Sequence, residues 1–136
     1  METDLGKLAL SYRDKGCNCA QAVALAFASY VDLDEATLYR ITEGFGGGMG
    51  GRQATCGAVS GAVAIVSLLS SKGDVASGTK NATYALVEPI VEKFLHQNKS
   101  LVCKDLKGLE TGQELRSCPL CIEDAVRLAF EVIAYK

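Results

Sequence analysis

The sequence contains no tryptophan, a single histidine and only two prolines. One histidine excludes most metal sites built on histidine, and it excludes catalytic schemes that need several imidazoles. Neither sign of charge is in excess, because 14 basic residues stand against 16 acidic ones and the formal net charge is −2. The chain therefore lacks the electrostatic basis for binding nucleic acid or an anionic membrane surface, and we expect neither as a partner.

A membrane-spanning run is also missing. One stretch of apolar and small residues, Cys56–Leu69, is shorter than the roughly 20 residues that cross a bilayer. It is therefore predicted to be a buried core helix. The first residues, Met1–Asp4, show neither the positive charge nor the apolar segment of a secretory signal. We expect a cytoplasmic protein without membrane insertion, in a compartment where thiols stay reduced.

Apolar residues recur three and four positions apart through most of the 136 residues, which is the period of an α-helix. The pattern predicts one all-α domain, residues 1–136, folded as a compact bundle of five to six helices. Asp34 is the expected N-cap of the third helix. The fourth helix, Cys56–Ser71, is apolar on nearly all sides and is expected at the centre. The fifth is predicted from about Val75 to Gln97, with Pro89 kinking or splitting it.

Six cysteines are the most informative feature. In a reducing compartment they indicate metal or redox ligands before structural disulfides, although a free cysteine can also be a small buried apolar residue. Three are predicted at helix starts, where unpaired N–H groups and a partial positive charge stabilise a thiolate. These three are Cys19, Cys56 and Cys118, and a fourth, Cys103, is expected in an irregular stretch, Ser100–Ser117. The other two, Cys17 and Cys121, complete a C-x-C and a C-x-x-C pair.

Glycine is concentrated in two places. Six of the eight residues from Gly44 to Gly51 are glycine, and this segment is predicted to be a glycine-rich loop between the third and fourth helices. Such a run can take positive φ and bring backbone N–H groups close to a bulky or anionic group, or it can be a tight crossover between packed helices. A further pair in the fourth helix indicates the close approach of another backbone, with Ala22 and Ala26 as partners, or of a cofactor. The residues predicted to lie against a cofactor are Gly46, Gly47, Gly48, Gly50, Gly57, Gly61 and Arg52.

Together these segments resemble a family of redox-active proteins, about this long, that is named for a Cys-Gly-Ala-x-x-Gly motif and further spaced cysteines. The matching segments are Asn18–Val23, Gly44–Gly50, Cys56–Gly61, Ser100–Cys103 and Cys118–Pro119. A related domain of split-Soret cytochromes resembles an iron–sulfur-binding helical domain, but this sequence has no C-x-x-C-H motif for haem attachment. The resemblance places the four family cysteines on Cys19, Cys56, Cys103 and Cys118.

The leading hypothesis is a redox protein for electron transfer or redox sensing, with a [2Fe–2S]-type iron–sulfur cluster on these four thiolates. One alternative is a metal-free thiol–disulfide protein that uses a pair such as Cys118 and Cys121. Another is a helical binding module stabilised by zinc. The leading hypothesis requires a redox partner protein, which the sequence does not identify. Apolar surface on short helices is also compatible with a homodimer. No catalytic residue is assigned.

Overall fold

The computed structural model describes residues 2–134 and confirms an all-α fold. Within this part of the chain there are seven α-helices and no β-strand. The helices are α1 (Glu2–Asp14), α2 (Cys19–Ala26), α3 (Glu35–Thr42), α4 (Gly57–Ser70), α5 (Lys80–Asn98), α6 (Cys103–Lys107) and α7 (Cys118–Ala134). Short 3₁₀ turns follow α2 at Ala28–Tyr30 and α3 at Glu43–Phe45.

Side-chain caps fix the starts of α2 and α3. The Asn18 side chain accepts a hydrogen bond from the Gln21 N–H at 2.9 Å, and the Gln21 side chain accepts one from the Asn18 N–H at 2.9 Å. This reciprocal pair is a capping box. The carboxylate of Asp34 accepts from the Thr37 N–H at 3.0 Å, so the predicted N-cap of α3 is confirmed.

Helix α4 lies at the centre and packs against α2, α5 and α7. Its buried residues include Val59, Ile65 and Val66, which confirms the prediction of a buried core helix. At Gly61 a Cβ atom would lie 2.6 Å from the Ala20 carbonyl oxygen. The backbone that approaches Gly61 is therefore that of α2, as predicted, but the contact is made by Ala20 and not by Ala22 or Ala26.

The structure corrects two predicted boundaries and shows one helix on both sides of Pro89. Helix α5 begins at Lys80, while Val75 lies in the preceding loop and is 98% exposed. Pro89 lies inside α5 and does not split it, because packing on α4 and α7 holds both halves in one helix. The stretch predicted to be irregular after α5 contains α6, and Gly108 is its C-cap with φ +70°.

The glycine-rich segment between α3 and α4 forms helical turns and not the loop that was predicted. After the 3₁₀ turn, the chain forms one irregular helical turn, Gly48–Arg52, in which Met49 (φ +63°) and Gly50 (φ +84°) depart from helical geometry. Arg52 also has a positive φ of +63°. The segment is a compact turn that passes over the start of α4.

Within residues 2–134, no helix combines the length and the apolar character that crossing a bilayer requires.

Candidate functional site

One cavity of about 440 Å³ brings the cysteines together. It lies where the starts of α2, α4, α6 and α7 converge. All six cysteines line it: Cys17, Cys19, Cys56, Cys103, Cys118 and Cys121. None of them forms a disulfide. The convergence predicted from the helix-start positions is therefore present in the fold.

Each of the four family cysteines opens a helix. Cys19 is the first residue of α2, directly after the N-cap Asn18, and Cys56 is the N-cap of α4. Cys103 is the first residue of α6, and Cys118 is the first residue of α7. The position of Cys103 differs from the expected loop, since α6 was not predicted, and it extends the helix-start pattern from three cysteines to four.

A backbone bridge holds Cys56 beside Cys103. The Cys56 N–H donates to the Leu101 carbonyl oxygen at 2.6 Å, and the Cys103 N–H donates to the Ala54 carbonyl oxygen at 2.9 Å. The two bonds form an isolated antiparallel bridge centred on Thr55 and Val102. Because the bridge directly precedes both helices, it fixes the starts of α4 and α6 next to each other.

The start of α7 is anchored by an ion pair between a half-buried arginine and a buried carboxylate. The Asp124 carboxylate is 5% exposed, and it accepts two hydrogen bonds from the Arg116 guanidinium at 3.0 Å each. Asn98 in α5 donates to the same carboxylate at 3.1 Å. These bonds fix the residue two positions before Cys118, and the bidentate geometry restricts its orientation.

Three thiols form a hydrogen-bonded series. The Cys56 thiol is in hydrogen-bonding contact with both the Cys19 thiol and the Cys121 thiol. The Cys121 thiol points to the Arg116 carbonyl oxygen at 3.9 Å. Cys121, which stands outside the four family cysteines, is therefore in direct contact with one of them. Its position one helical turn after Cys118 was the sequence signal for this placement.

These contacts raise the thiol pKa values, contrary to the prediction of stabilised thiolates at helix starts. The hydrogen bond to Cys121, together with burial, raises the pKa of Cys56 to about 12. The hydrogen bond to Cys56, together with burial, raises the pKa of Cys19 well above its ordinary value, although the N–H groups of Gly47 and Ala20 act in the opposite direction. Burial also raises the pKa of Cys103. The helix-start N–H groups act as expected on Cys19, but thiol contacts and desolvation outweigh them.

Four of the predicted glycines lie against the cysteines or their caps. A Cβ atom at Gly57 would lie 2.6 Å from the Cys19 sulfur, and one at Gly48 would lie 2.5 Å from the Cys103 Cβ. A Cβ at Gly46 would overlap the Asn18 side chain. Gly47 takes φ +63° and donates its N–H to the Cys19 sulfur. The glycine-rich turn therefore covers the thiols directly.

The other two predicted glycines lie elsewhere. Gly61 contacts the backbone of α2 and serves helix packing, while no atom lies within 4 Å of a Cβ built on Gly50. Gly50 has a positive φ of +84°. The conformation of the turn is therefore sufficient to explain why glycine occupies this position, and no contact with a cofactor is needed.

Positive side chains accompany the cysteines. Four of them line the cavity, namely Arg13, Arg52, Lys107 and Arg116, and no carboxylate lines it. The Lys107 ammonium hydrogen-bonds the Cys118 sulfur, an interaction that raises the pKa of Lys107. Of these cations only Arg52 was predicted. Lys107 was missed because it lies four residues after Cys103, and this spacing brings the two side chains together only if α6 is a helix.

Within the described part of the chain, no three side chains among His, Cys, Asp and Glu are grouped as a bound metal ion would require. The sulfur of Cys56 instead contacts the sulfurs of Cys19 and Cys121. The ligand set Cys19, Cys56, Cys103 and Cys118 therefore stays a prediction.

Fold and cavity together define a class, which is an all-α protein whose helix starts gather cysteines around one positively lined cavity. A family model described as "Putative redox-active protein (C_GCAxxG_C_C)" matches residues 17–132. The chain belongs to this family, as the motifs indicated. Neither a search of curated proteins nor a search of solved structures finds a match.

Proposed function

We propose that this protein is an electron-transfer or redox-sensing protein in which Cys19, Cys56, Cys103 and Cys118 hold a [2Fe–2S]-type cluster. The observation that supports this most directly is that four helix starts, each carrying one cysteine, face one cavity. Thiolates are the usual ligands of iron–sulfur clusters, so the donor set fits the group chemically. When bound, the cluster would supply one-electron transfer.

The charge of the surroundings also fits. A cluster of two ferric ions, two sulfides and four thiolates carries two net negative charges, and reduction adds a third. The cavity offers N–H groups from Gly47 and Ala20 and the ammonium of Lys107. These donors compensate buried negative charge, and hydrogen bonds to the sulfurs tune the reduction potential.

The thiol series has a consequence for cluster binding. Because thiol contacts and burial raise the pKa values of Cys19 and Cys56, two of the proposed ligands hold their protons more tightly than a free thiol does. Binding must displace these protons, because the thiolate is the form that binds metal. We therefore expect loading to release protons and to be slow at low pH.

The test is anaerobic reconstitution of the full chain with iron and sulfide, followed by metal analysis and by visible spectra before and after dithionite. Stoichiometric iron and sulfide, with a chromophore that bleaches on reduction, is the expected result. Colourless protein without iron or sulfide would overturn the proposal, and stoichiometric zinc without a redox response would favour the zinc-stabilised module.

Single replacements assign the ligands. Serine variants of Cys19, Cys56, Cys103 and Cys118 should each lose most of the chromophore. The matched control is Cys17→Ser, which also alters a cavity-lining thiol but lies outside the proposed set. Equal loss in the control would show that the spectrum reports general damage to the cavity.

A second candidate is metal-free thiol–disulfide chemistry, favoured by the contacts of Cys56 with both Cys19 and Cys121. With a small disulfide as oxidant, two protein thiols would give up two electrons and two protons to form a protein disulfide, and the oxidant would leave as two thiols. Thiol counting and mass mapping after oxidation distinguish the candidates. Linkage of Cys56 to one neighbour supports this chemistry, and six intact thiols contradict it.

A further inference from the structure

The cysteine cavity is lined by positive side chains, although the chain as a whole carries a net charge of −2. The cavity wall includes four basic side chains and no acidic one. Because the chain has more acidic than basic residues, an even distribution of charge would place acidic as well as basic side chains around the cavity. The separation of charge at this cavity is therefore a local property that needs an explanation.

Two of the four cations have a structural partner. Arg116 is bound by Asp124, and Lys107 hydrogen-bonds Cys118 inside the cavity. The other two, Arg13 and Arg52, are exposed. Neither forms an ion pair with an acidic residue within residues 2–134. Their guanidinium groups are available to a molecule that approaches the thiols.

The backbone at Arg52 gives a second, independent observation. Arg52 has φ +63°, a left-handed conformation that disfavours a side chain with a Cβ atom. The neighbouring positions 50 and 51 are glycine, so the chain uses glycine freely in this turn, yet an arginine occupies this position. Strained residues of this kind occur preferentially at functional sites.

We propose that Arg13 and Arg52 bind a small organic anion at the entrance of the cysteine cavity, so that the molecules reacting with this centre carry carboxylate or phosphate groups. Guanidinium groups bind such anions through paired, charge-assisted hydrogen bonds. A cavity lined by one sign of charge also raises the local concentration of the opposite charge and the rate of encounter. The inference shares with the proposed function only the cysteines, which are the reacting groups in both. It does not require a bound cluster, because the metal-free thiols can react with the same anions.

The test compares disulfide reagents of opposite charge on the reduced, metal-free protein. 5,5′-Dithiobis(2-nitrobenzoate) carries two carboxylates, whereas cystamine carries two ammonium groups. Each rate is divided by the rate measured for the urea-unfolded chain, which removes the intrinsic reactivity of the reagent. We expect the normalised rate of the anionic reagent to exceed that of cystamine by about tenfold at low salt, and to fall as salt is added.

Substitution identifies the residues responsible. In the Arg13→Gln/Arg52→Asn double variant, the rate with the anionic reagent should fall several-fold, while the rate with cystamine stays equal or rises. Asparagine is chosen at position 52 because it tolerates the left-handed conformation, and Arg13→Gln alone provides a measurement if the turn is disturbed. The matched control, Arg40→Gln/Lys72→Gln, removes the same charge at exposed positions that do not line the cavity.

A competition experiment separates binding from long-range attraction. Inorganic phosphate should slow the anionic reagent more than chloride does at equal ionic strength. Equal normalised rates for the two reagents, an equal effect of the control variant, or no difference between phosphate and chloride would each overturn the proposed site. None of these results depends on iron, so failure here and failure of the cluster proposal are distinguishable.

Discussion

At the residue scale, Gly57 sets the position of the Cys19 sulfur, because no side chain separates α4 from the start of α2 at that point. A Cβ atom there would lie 2.6 Å from the sulfur and 2.8 Å from the Phe45 carbonyl oxygen. The first neighbour can move, but the second is backbone. A side chain at Gly57 must therefore displace either the thiol or the glycine-rich turn.

Alanine replacement tests this contact. We expect Gly57→Ala to destabilise the protein by about 1–3 kcal/mol, since overpacking outweighs the gain in helix propensity. The matched control is Gly6→Ala in α1, where no atom lies within 4 Å of an added Cβ, and it should stabilise by up to about 1 kcal/mol. Urea unfolding measures both. Equal stabilisation by the two replacements would contradict the close approach.

The contacts of Cys56 predict a pH dependence. The hydrogen bond to Cys121, with burial, raises its pKa to about 12 from a value of 9.0, and Cys19 is the other titratable group that faces it. Between these two pH values the unfolded chain loses a proton that the folded chain keeps. Stability from this group is therefore complete below about pH 9 and falls as the pH rises toward 12.

Urea unfolding of the reduced, metal-free protein at pH 8, 9 and 10 checks the sign. The wild type should lose stability over this range more steeply than Cys56→Ala, which lacks the buried thiol. A wild-type profile as flat as that of the variant would show that Cys56 titrates normally. Tyrosine and lysine ionise in both proteins, so their contribution cancels in the comparison.

At the element scale, the two prolines occupy positions of opposite character. Pro89 lies in the interior of α5, whereas Pro119 is the second residue of α7. An interior proline lacks the N–H of the helix ladder and clashes with the preceding turn, while a first-turn proline loses no hydrogen bond. Helix α5 persists through Pro89 because its buried residues, among them Ile90 and Phe94, pack into the core.

We expect Pro89→Ala to stabilise the protein by about 1–3 kcal/mol, because it restores the helix ladder. Pro119→Ala serves as the control and should change the stability by less than about 0.5 kcal/mol. Both are measured by urea unfolding. If Pro89→Ala is neutral or destabilising, the packing around α5 depends on the proline ring more than on helix geometry.

At the scale of the whole molecule, the features set by local pattern could be predicted from the sequence. The period of apolar residues gave the all-α class, and the Asp34 cap and the central α4 followed from residue type. The start of α5 was predicted too early, because Val75 is apolar but lies exposed in the loop before Lys80. Helix α6 has only five residues, which is too short for a periodic signal.

The cysteines of the candidate site could be predicted from the sequence, but the contacts that position them could not. Cysteine at helix starts pointed to one site, and the structure places all six thiols at one cavity. The bridge of Thr55 to Val102 joins segments far apart in sequence by backbone bonds, which any residue type can form. The raised pKa of Cys56 depends on which thiols touch after folding. Neither property is encoded in a local pattern.

The ligands proposed for the cluster stand on four different helices, so binding should stabilise the whole fold. A ligand that binds only the folded state adds about 2.7 kcal/mol when its concentration is 100 times its dissociation constant. Of the elements that carry these ligands, α6 is the shortest, and Cys103 is its first residue. Cluster binding through Cys103 should therefore slow amide hydrogen exchange in α6 and the segment after it more than in the long helices.

Urea unfolding and amide hydrogen exchange, with and without anaerobic iron and sulfide, measure this effect. The loaded wild type and the loaded Cys17→Ser variant should unfold at higher urea than their metal-free forms, with the largest gain of exchange protection in residues 103–117. Cys103→Ser should lose that local protection even where some cluster remains bound. Unchanged unfolding after stoichiometric loading would place the metal outside the cavity, since a cluster held by four helix starts cannot bind without resisting their separation.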